Sequence, residues 1–163
     1  ESDEKYINID KYKVYEGSNK HNIMCMFLNR IKVYQIFNDY LNEYNPSYDL
    51  VISMRCDLIF FEPINFQHYK YINNNDNYNN NNNDIYVPDT GNNYGGVDDR
   101  IAFGNINTIK KYLKLYDNVI TLLNNGQIIH PEMLTLKNLE YENVNIHKHK
   151  LNFDINRNLL IIK

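Results

Sequence analysis

The chain has 163 residues, 43% hydrophobic and 23% charged, with a net charge of −3. That is apolar material for one core. The weakly acidic balance, with Lys and Arg scattered, argues against a nucleic-acid footprint, and no run approaches the roughly 18 apolar residues of a membrane span.

Residues 1–19 are polar, with one short strand expected near Tyr12–Tyr15. From Asn22 to Tyr44 apolar residues recur every three or four positions (Ile23, Phe27, Ile31, Tyr34, Phe37, Leu41), which predicts a helix. Asn45-Pro46 ends it. Residues 49–54 read as a buried strand and 57–61 as a second extended piece. A weak helical turn, Ile64 to Tyr71, leads to the Asn-rich stretch 73–83, a surface insertion too polar to offset its own ordering entropy. Strands follow at Asp84–Pro88 and Ile101–Gly104, separated by the loop T-G-N-N-Y-G-G-V-D-D-R. Asn105 or Asn107 can cap a helix whose apolar face runs from Ile109 to Leu123, with Gly126 closing it. His130-Pro131-Glu132 opens a third helix, with Pro at a permitted position. The chain ends with N-I-H-K-H-K and an apolar piece, Leu159 to Ile162. The fold class expected is α/β, one domain over 1–163, with helices flanking a mixed sheet.

Two cysteines, Cys25 and Cys56, are too far apart for a metal or redox motif. They read as free thiols of a reducing compartment, the cytoplasm. The chain starts at Glu1, not Met, so an upstream segment is expected either to have been removed or to lie outside this sequence.

Chemistry concentrates after the first strand. Arg55 and Asp57 interrupt the apolar run from Leu50 to Phe61. In extended structure they point to one face, and ligands of open α/β sheets gather at such strand ends. A carboxylate there can hold Mg²⁺ or Mn²⁺; an Arg can fork onto a phosphate or a second carboxylate. A self-satisfied Arg–Asp pair explains the spacing equally well.

The run Tyr48-Asp49-Leu50-Val51-Ile52, then Arg55-Cys56-Asp57, then an apolar pair and Pro63, resembles the centre of a GT-A (Rossmann-like) glycosyltransferase domain. Such enzymes usually carry Asp-x-Asp there; here Arg55 stands at the first position and Asp57 matches the second. Gly95-Gly96-Val97-Asp98-Asp99-Arg100-Ile101-Ala102-Phe103-Gly104 resembles their acceptor-side segment, and His130-Pro131-Glu132 a helix that closes the site. His147 and His149 fall where a late His lies near metal or pyrophosphate. The resemblance covers roughly 20–157. It implies a nucleotide-sugar donor, a glycan or protein acceptor, and Mn²⁺ or Mg²⁺ at Asp57, with strict metal dependence left open by Arg55. It also implies that the nucleotide-binding half precedes this chain, making it the C-terminal part of a longer domain.

On this reading Arg55, Asp57, His147 and His149 contact the donor. Asp99, Asp98 and Glu132 are the catalytic candidates: adjacent acids in a Gly-rich loop suit a general base, or only hold acceptor hydroxyls. Asp-Asp-Arg is equally an ordinary solvated turn, with Arg100 pairing one acid. Glu132 suits a helix N-terminus whatever its role, and His130 can be a plain cap. His147 and His149 can be exposed edge-strand residues, and Arg157 a surface residue or a phosphate contact. Tyr86 and Tyr94 can stack on a sugar ring. The rival from another class is a non-catalytic carbohydrate-binding or glycosyltransferase-remnant domain. A metal-dependent hydrolase using Asp57, Asp98 and His147 ranks lower, because no His-x-His or Asp-x-His pair lies near the first strand end.

Overall fold

A computed structural model describes residues 8–66, 83–91 and 94–156. Helix α1, Lys20–Tyr44, forms where the three-to-four periodicity runs. The Asn19 side chain accepts from the Asn22 N–H to open it, and Asn45, at φ 43°, closes it. Strand β1 is Val51–Met54 and β2 is Leu58–Phe60. Strand β3 is Asp84–Pro88 and β4 is Ile101–Gly104. Helices α2 (Ile106–Leu113), α3 (Leu115–Asn124) and α4 (Pro131–Tyr141) follow. Strands β5 (Asn145–His149) and β6 (Phe153–Ile155) complete the described elements.

The main sheet has the order β1-β4-β3-β5. β4 runs antiparallel to both β1 and β3, while β3 and β5 are parallel. β1, β3 and β5 therefore share one direction, and their carboxyl ends lie at the same sheet edge as the start of β4. That edge collects residues 55–57 and 98–100. The fold is α/β with a mixed sheet and helices, as expected.

Alternation splits the sheet between two cores. On one face Ile85, Val87 and Ala102 pack with Ile109, Tyr112, Leu113 and Leu139. On the other, Tyr86, Ile101 and Phe103 meet Leu58, Phe60 and Phe153 from the antiparallel β2–β6 ribbon. A third cluster joins α1 to α3 and α4 through Phe27, Leu115, Val119 and Leu134.

Four expectations change. Residues 49–54 do not make a buried strand: β1 lies at the sheet edge, and Ile52 and Met54 are 40% and 56% exposed. The helix expected across 109–123 is two, broken at Lys114; Asn105, not Asn107, caps the first. The strand expected at Tyr12–Tyr15 is a single parallel bridge, Val14 to Ile129. β6 was not expected, because F-D-I is too short to show alternation. The Asn-rich stretch up to residue 82, most of the turn to Tyr71, Arg157 and Leu159 to Ile162 lie outside the described residues.

Candidate functional site

Where β1 ends, the Arg55 N–H donates to the Arg100 carbonyl at 3.0 Å, tying the Arg-Cys-Asp turn to the start of β4. Arg55 then forks onto Asp57: Nε to Oδ1 at 2.8 Å and Nη2 to Oδ2 at 2.6 Å. Asp57 is buried and the Arg55 side chain half exposed. The hydrogen bond to Asp57 holds the Arg55 pKa above its usual value.

The two acids of the Gly-rich loop are buried, not the residues of a solvated turn. Asp98 accepts from its neighbour Arg100, through Nε and Nη2 and through the backbone N–H at 3.0 Å, and from the Thr90 hydroxyl at 3.0 Å. Arg100 thus pairs with one of the acids, as expected, and its guanidinium lies over the Phe153 ring at 4.6 Å. Asp99 is held by Arg30, whose Nη2 donates to the Asp99 carboxylate at 2.8 Å and to its carbonyl at 2.6 Å. The Tyr112 hydroxyl donates to the same carbonyl at 2.7 Å. Burial alone lowers the Arg30 pKa, but neighbouring Tyr112 and Asp99 outweigh it, so the net shift is upward. Burial pushes the Tyr112 hydroxyl far up, so it stays a donor.

Arg30 is the residue that sequence reasoning missed. It lies on the α1 face that carries Phe27 and Tyr34, and a lone Arg in an amphipathic helix gives no signal of the partner it will meet 69 residues later.

Glu132 sits in the first turn of α4, with His130 at the N-cap. Their Nδ1 and Oε2 atoms lie 3.0 Å apart, both buried, yet neither makes a hydrogen bond of good geometry. Burial lowers the His130 pKa, with Asp99 opposing it; burial, then Asp99, raises that of Glu132. The Gly-rich loop is pinned to this turn: the Val97 N–H donates to the Glu132 carbonyl at 3.2 Å, and a Cβ on Gly96 would overlap the Glu132 backbone.

His147 and His149 share one face of β5, as a strand requires, and both pack on Tyr86 with ring centroids 4.9 and 5.3 Å away. His147 Nε2 lies 3.1 Å from the Asp84 carboxylate at the opposite end of β3 from the Arg-Asp edge. His147 is therefore turned to Asp84, while His149, opposite Pro88, is the one near the carboxyl ends.

Two clefts flank these groups. One, of about 640 Å³, lies between α1 and the β1 edge and is lined by Arg30, Met54, Arg55, Asp57, Asp99 and Arg100, among others. The second, of about 770 Å³, is bounded by Tyr15, Asn19, Tyr94, His130 and Glu132. Asn22, in the first turn of α1, lines both.

The Mn²⁺ or Mg²⁺ implied at Asp57 does not fit the donor set as it stands. Both Asp57 oxygens are engaged by Arg55, and among the described residues no three His, Cys, Asp or Glu side chains converge. A hard dication needs several oxygen ligands.

No family model matches the chain, and no curated protein or solved structure matches it either.

Proposed function

We propose that this chain carries a glycosyltransferase site of GT-A type, which transfers a sugar from a nucleotide-sugar donor to an acceptor hydroxyl. One observation carries the reading. Guanidinium–carboxylate pairs from three separate segments meet along one sheet edge, beside a cleft, at the end of the strands where ligands of α/β sheets bind. Of the three guanidiniums Arg55 is the most exposed, and a guanidinium beside a cleft can take the oxygens of a diphosphate.

In this reading Arg55, half exposed, meets the diphosphate through the guanidinium edge that Asp57 does not occupy, the Nη1 side. Asp57 holds the Nε–Nη2 edge and so fixes the plane of the guanidinium. The acceptor oxygen bonds to the anomeric carbon as the bond to the diphosphate breaks, and the diphosphate leaves with the electron pair. Fixed charge beside it is the main source of rate. The acceptor proton goes to a carboxylate. Asp98 and Asp99 are each held by an Arg, whereas Glu132 lies against His130 and burial raises its pKa, which makes it the better base. His149 is the late His nearer the strand ends. A reducing compartment such as the cytoplasm goes with two exposed free thiols. Among the described residues no helix is long and apolar enough to cross a membrane.

A non-catalytic carbohydrate-binding domain has one observation in its favour: Asp57, Asp98 and Asp99 are all already neutralised. Calorimetric titration with UDP and GDP, with and without Mn²⁺, separates the two. Transfer chemistry expects binding of one nucleotide that weakens about tenfold or more in Arg55→Ala, a loss of about 1.4 kcal/mol. Binding that needs Mn²⁺ and vanishes in Asp57→Ala would show that the fork opens to admit a metal. Binding of neither nucleotide sinks the transfer reading and leaves the binding domain.

A further inference from the structure

The second cleft carries chemistry of its own. Its wall is a group of three rings from three segments. Tyr15 and His130 are 4.9 Å apart by centroid, Tyr94 and His130 5.1 Å, and Tyr15 and Tyr94 5.3 Å. Each segment is pinned by backbone. The Tyr15 N–H donates to the Ile129 carbonyl at 3.1 Å, and the Ile129 N–H to the Lys13 carbonyl at 2.8 Å. Val97, three residues after Tyr94, is bonded to Glu132. Gly17, at φ 78°, turns the chain from Tyr15 into the cap of α1.

Tyr94 is the unusual member. It holds φ 47°, a left-handed conformation that bulky residues rarely adopt, and it keeps about half its surface exposed. Strain in a non-glycine residue persists only where the surroundings enforce it, and it clusters at ligand sites. Glycine is the relaxed choice at such a position, and glycines occupy nearby 91 and 95 at φ 74° and 79°. An aromatic ring is thus held on the cleft at the expense of backbone comfort.

The polar side of the cleft fits an uncharged, hydroxyl-rich partner. Glu132, Asn19 and Asn22 line it. The rings meet edge against face, at interplanar angles of 59–69° and with centroids about 5 Å apart, which leaves no space between them for a caged cation; Tyr94, the most exposed of the three, offers a guest its ring. We propose that this cleft binds a pyranose ring, with its C–H face on Tyr94 and its hydroxyls on Glu132 and Asn22. The sugar contact stands on the cleft alone; its role as the acceptor subsite rests on the glycosyltransferase reading.

The test is saturation-transfer NMR with the methyl pyranosides of glucose, galactose and mannose at millimolar concentration. The expected result is that at least one receives saturation, strongest on the C–H protons of one ring face. Tyr94→Gly, which suits φ 47° and so preserves the loop, should cut the signal about fivefold or more, while Tyr94→Phe keeps it. Saturation that persists in Tyr94→Gly, or no saturation of any pyranoside, overturns the proposal. So does Tyr94-dependent binding of tetramethylammonium in place of the sugars, which would make the rings a cation site. Failure of nucleotide binding with sugar binding intact removes only the acceptor role and leaves the site.

Discussion

At the scale of single residues, Arg30 and Asp99 are the clearest case of chemistry that also holds structure. Both are largely buried, and each satisfies the other at 2.8 Å. Removing one partner of such a pair leaves an uncompensated buried charge, which costs about 3–5 kcal/mol. Arg30→Met should therefore lower the urea unfolding free energy by roughly that amount, and adding Asp99→Asn should recover much of it. A loss under about 0.5 kcal/mol, the scale of ordinary surface changes, would show that the pair is solvated in solution. The His130–Glu132 pair makes a different prediction, because both groups resist ionisation. Glu132 has a raised pKa in the fold, so its contribution is fully present below the ordinary Glu value. It is lost as pH rises from there through the folded value, since the unfolded chain ionises first. His130 has a lowered pKa, so its contribution is present above the ordinary His value and is lost as pH falls through the folded one. Thermal melts of wild type against Glu132→Gln should then diverge with rising pH above about 4.5, the wild type losing ground. Parallel curves across that window would mean that Glu132 titrates as a solvated carboxylate.

At the scale of elements, much of the fold was legible and the reasons are particular. α1 was readable because twenty-five residues sustain one period and Asn45-Pro46 breaks it. β3 and β4 were readable because I-Y-V and I-A-F are apolar runs between stretches of sequence rich in Gly and Asn. The status of β1 was not. L-V-I looks the same in a central strand as at an edge, and only pairing with β4 alone decides it. The break at Lys114 was hidden because Leu113 and Leu115 keep the apolar count going across it. For the site, Arg55 with Asp57 and Asp98 with Arg100 were visible as near neighbours, whereas Arg30 with Asp99 needed the fold. The link between loop and helix was also invisible, although it is what joins the catalytic candidates. Gly96 lets the loop approach the α4 backbone so closely that no Cβ fits. Gly96→Ala should destabilise by about 1–3 kcal/mol, as overpacking does. It should also raise the mobility of Tyr94 and weaken whatever the second cleft binds, while binding at the Arg55 edge changes less. Equal loss at both clefts in urea-matched samples would mean that the glycine acts through global stability alone.

At the scale of the molecule, the three apolar clusters are not independent. α1 contributes Phe27 to the cluster with α3 and α4, and Tyr34 and Phe37 to the cluster beneath the sheet. α4 does likewise, with Leu134 in the first and Leu139 in the second. The sheet is shared between the second and third, with alternate residues of β3 and β4 facing each. Elements that run through two cores couple their melting, so the described residues should unfold in one transition. Phe27 tests this. It is fully buried, its ring also lies 5.7 Å beneath the Arg30 guanidinium, and Phe→Ala at such a site costs about 3–5 kcal/mol. Against a total stability of about 5–15 kcal/mol, that change should lower the unfolding midpoint strongly. If the cores are coupled, helix loss followed by far-ultraviolet dichroism and tyrosine packing followed in the near ultraviolet will shift together. Tyr86 and Tyr112 report the two faces of the sheet, so the near-ultraviolet signal samples both. Separate midpoints in Phe27→Ala would mean that the α1–α3–α4 cluster melts alone. In that case the second cleft, built on Tyr15 and the first turn of α4, would open before the Arg55 edge does, and the two sites would differ in heat resistance.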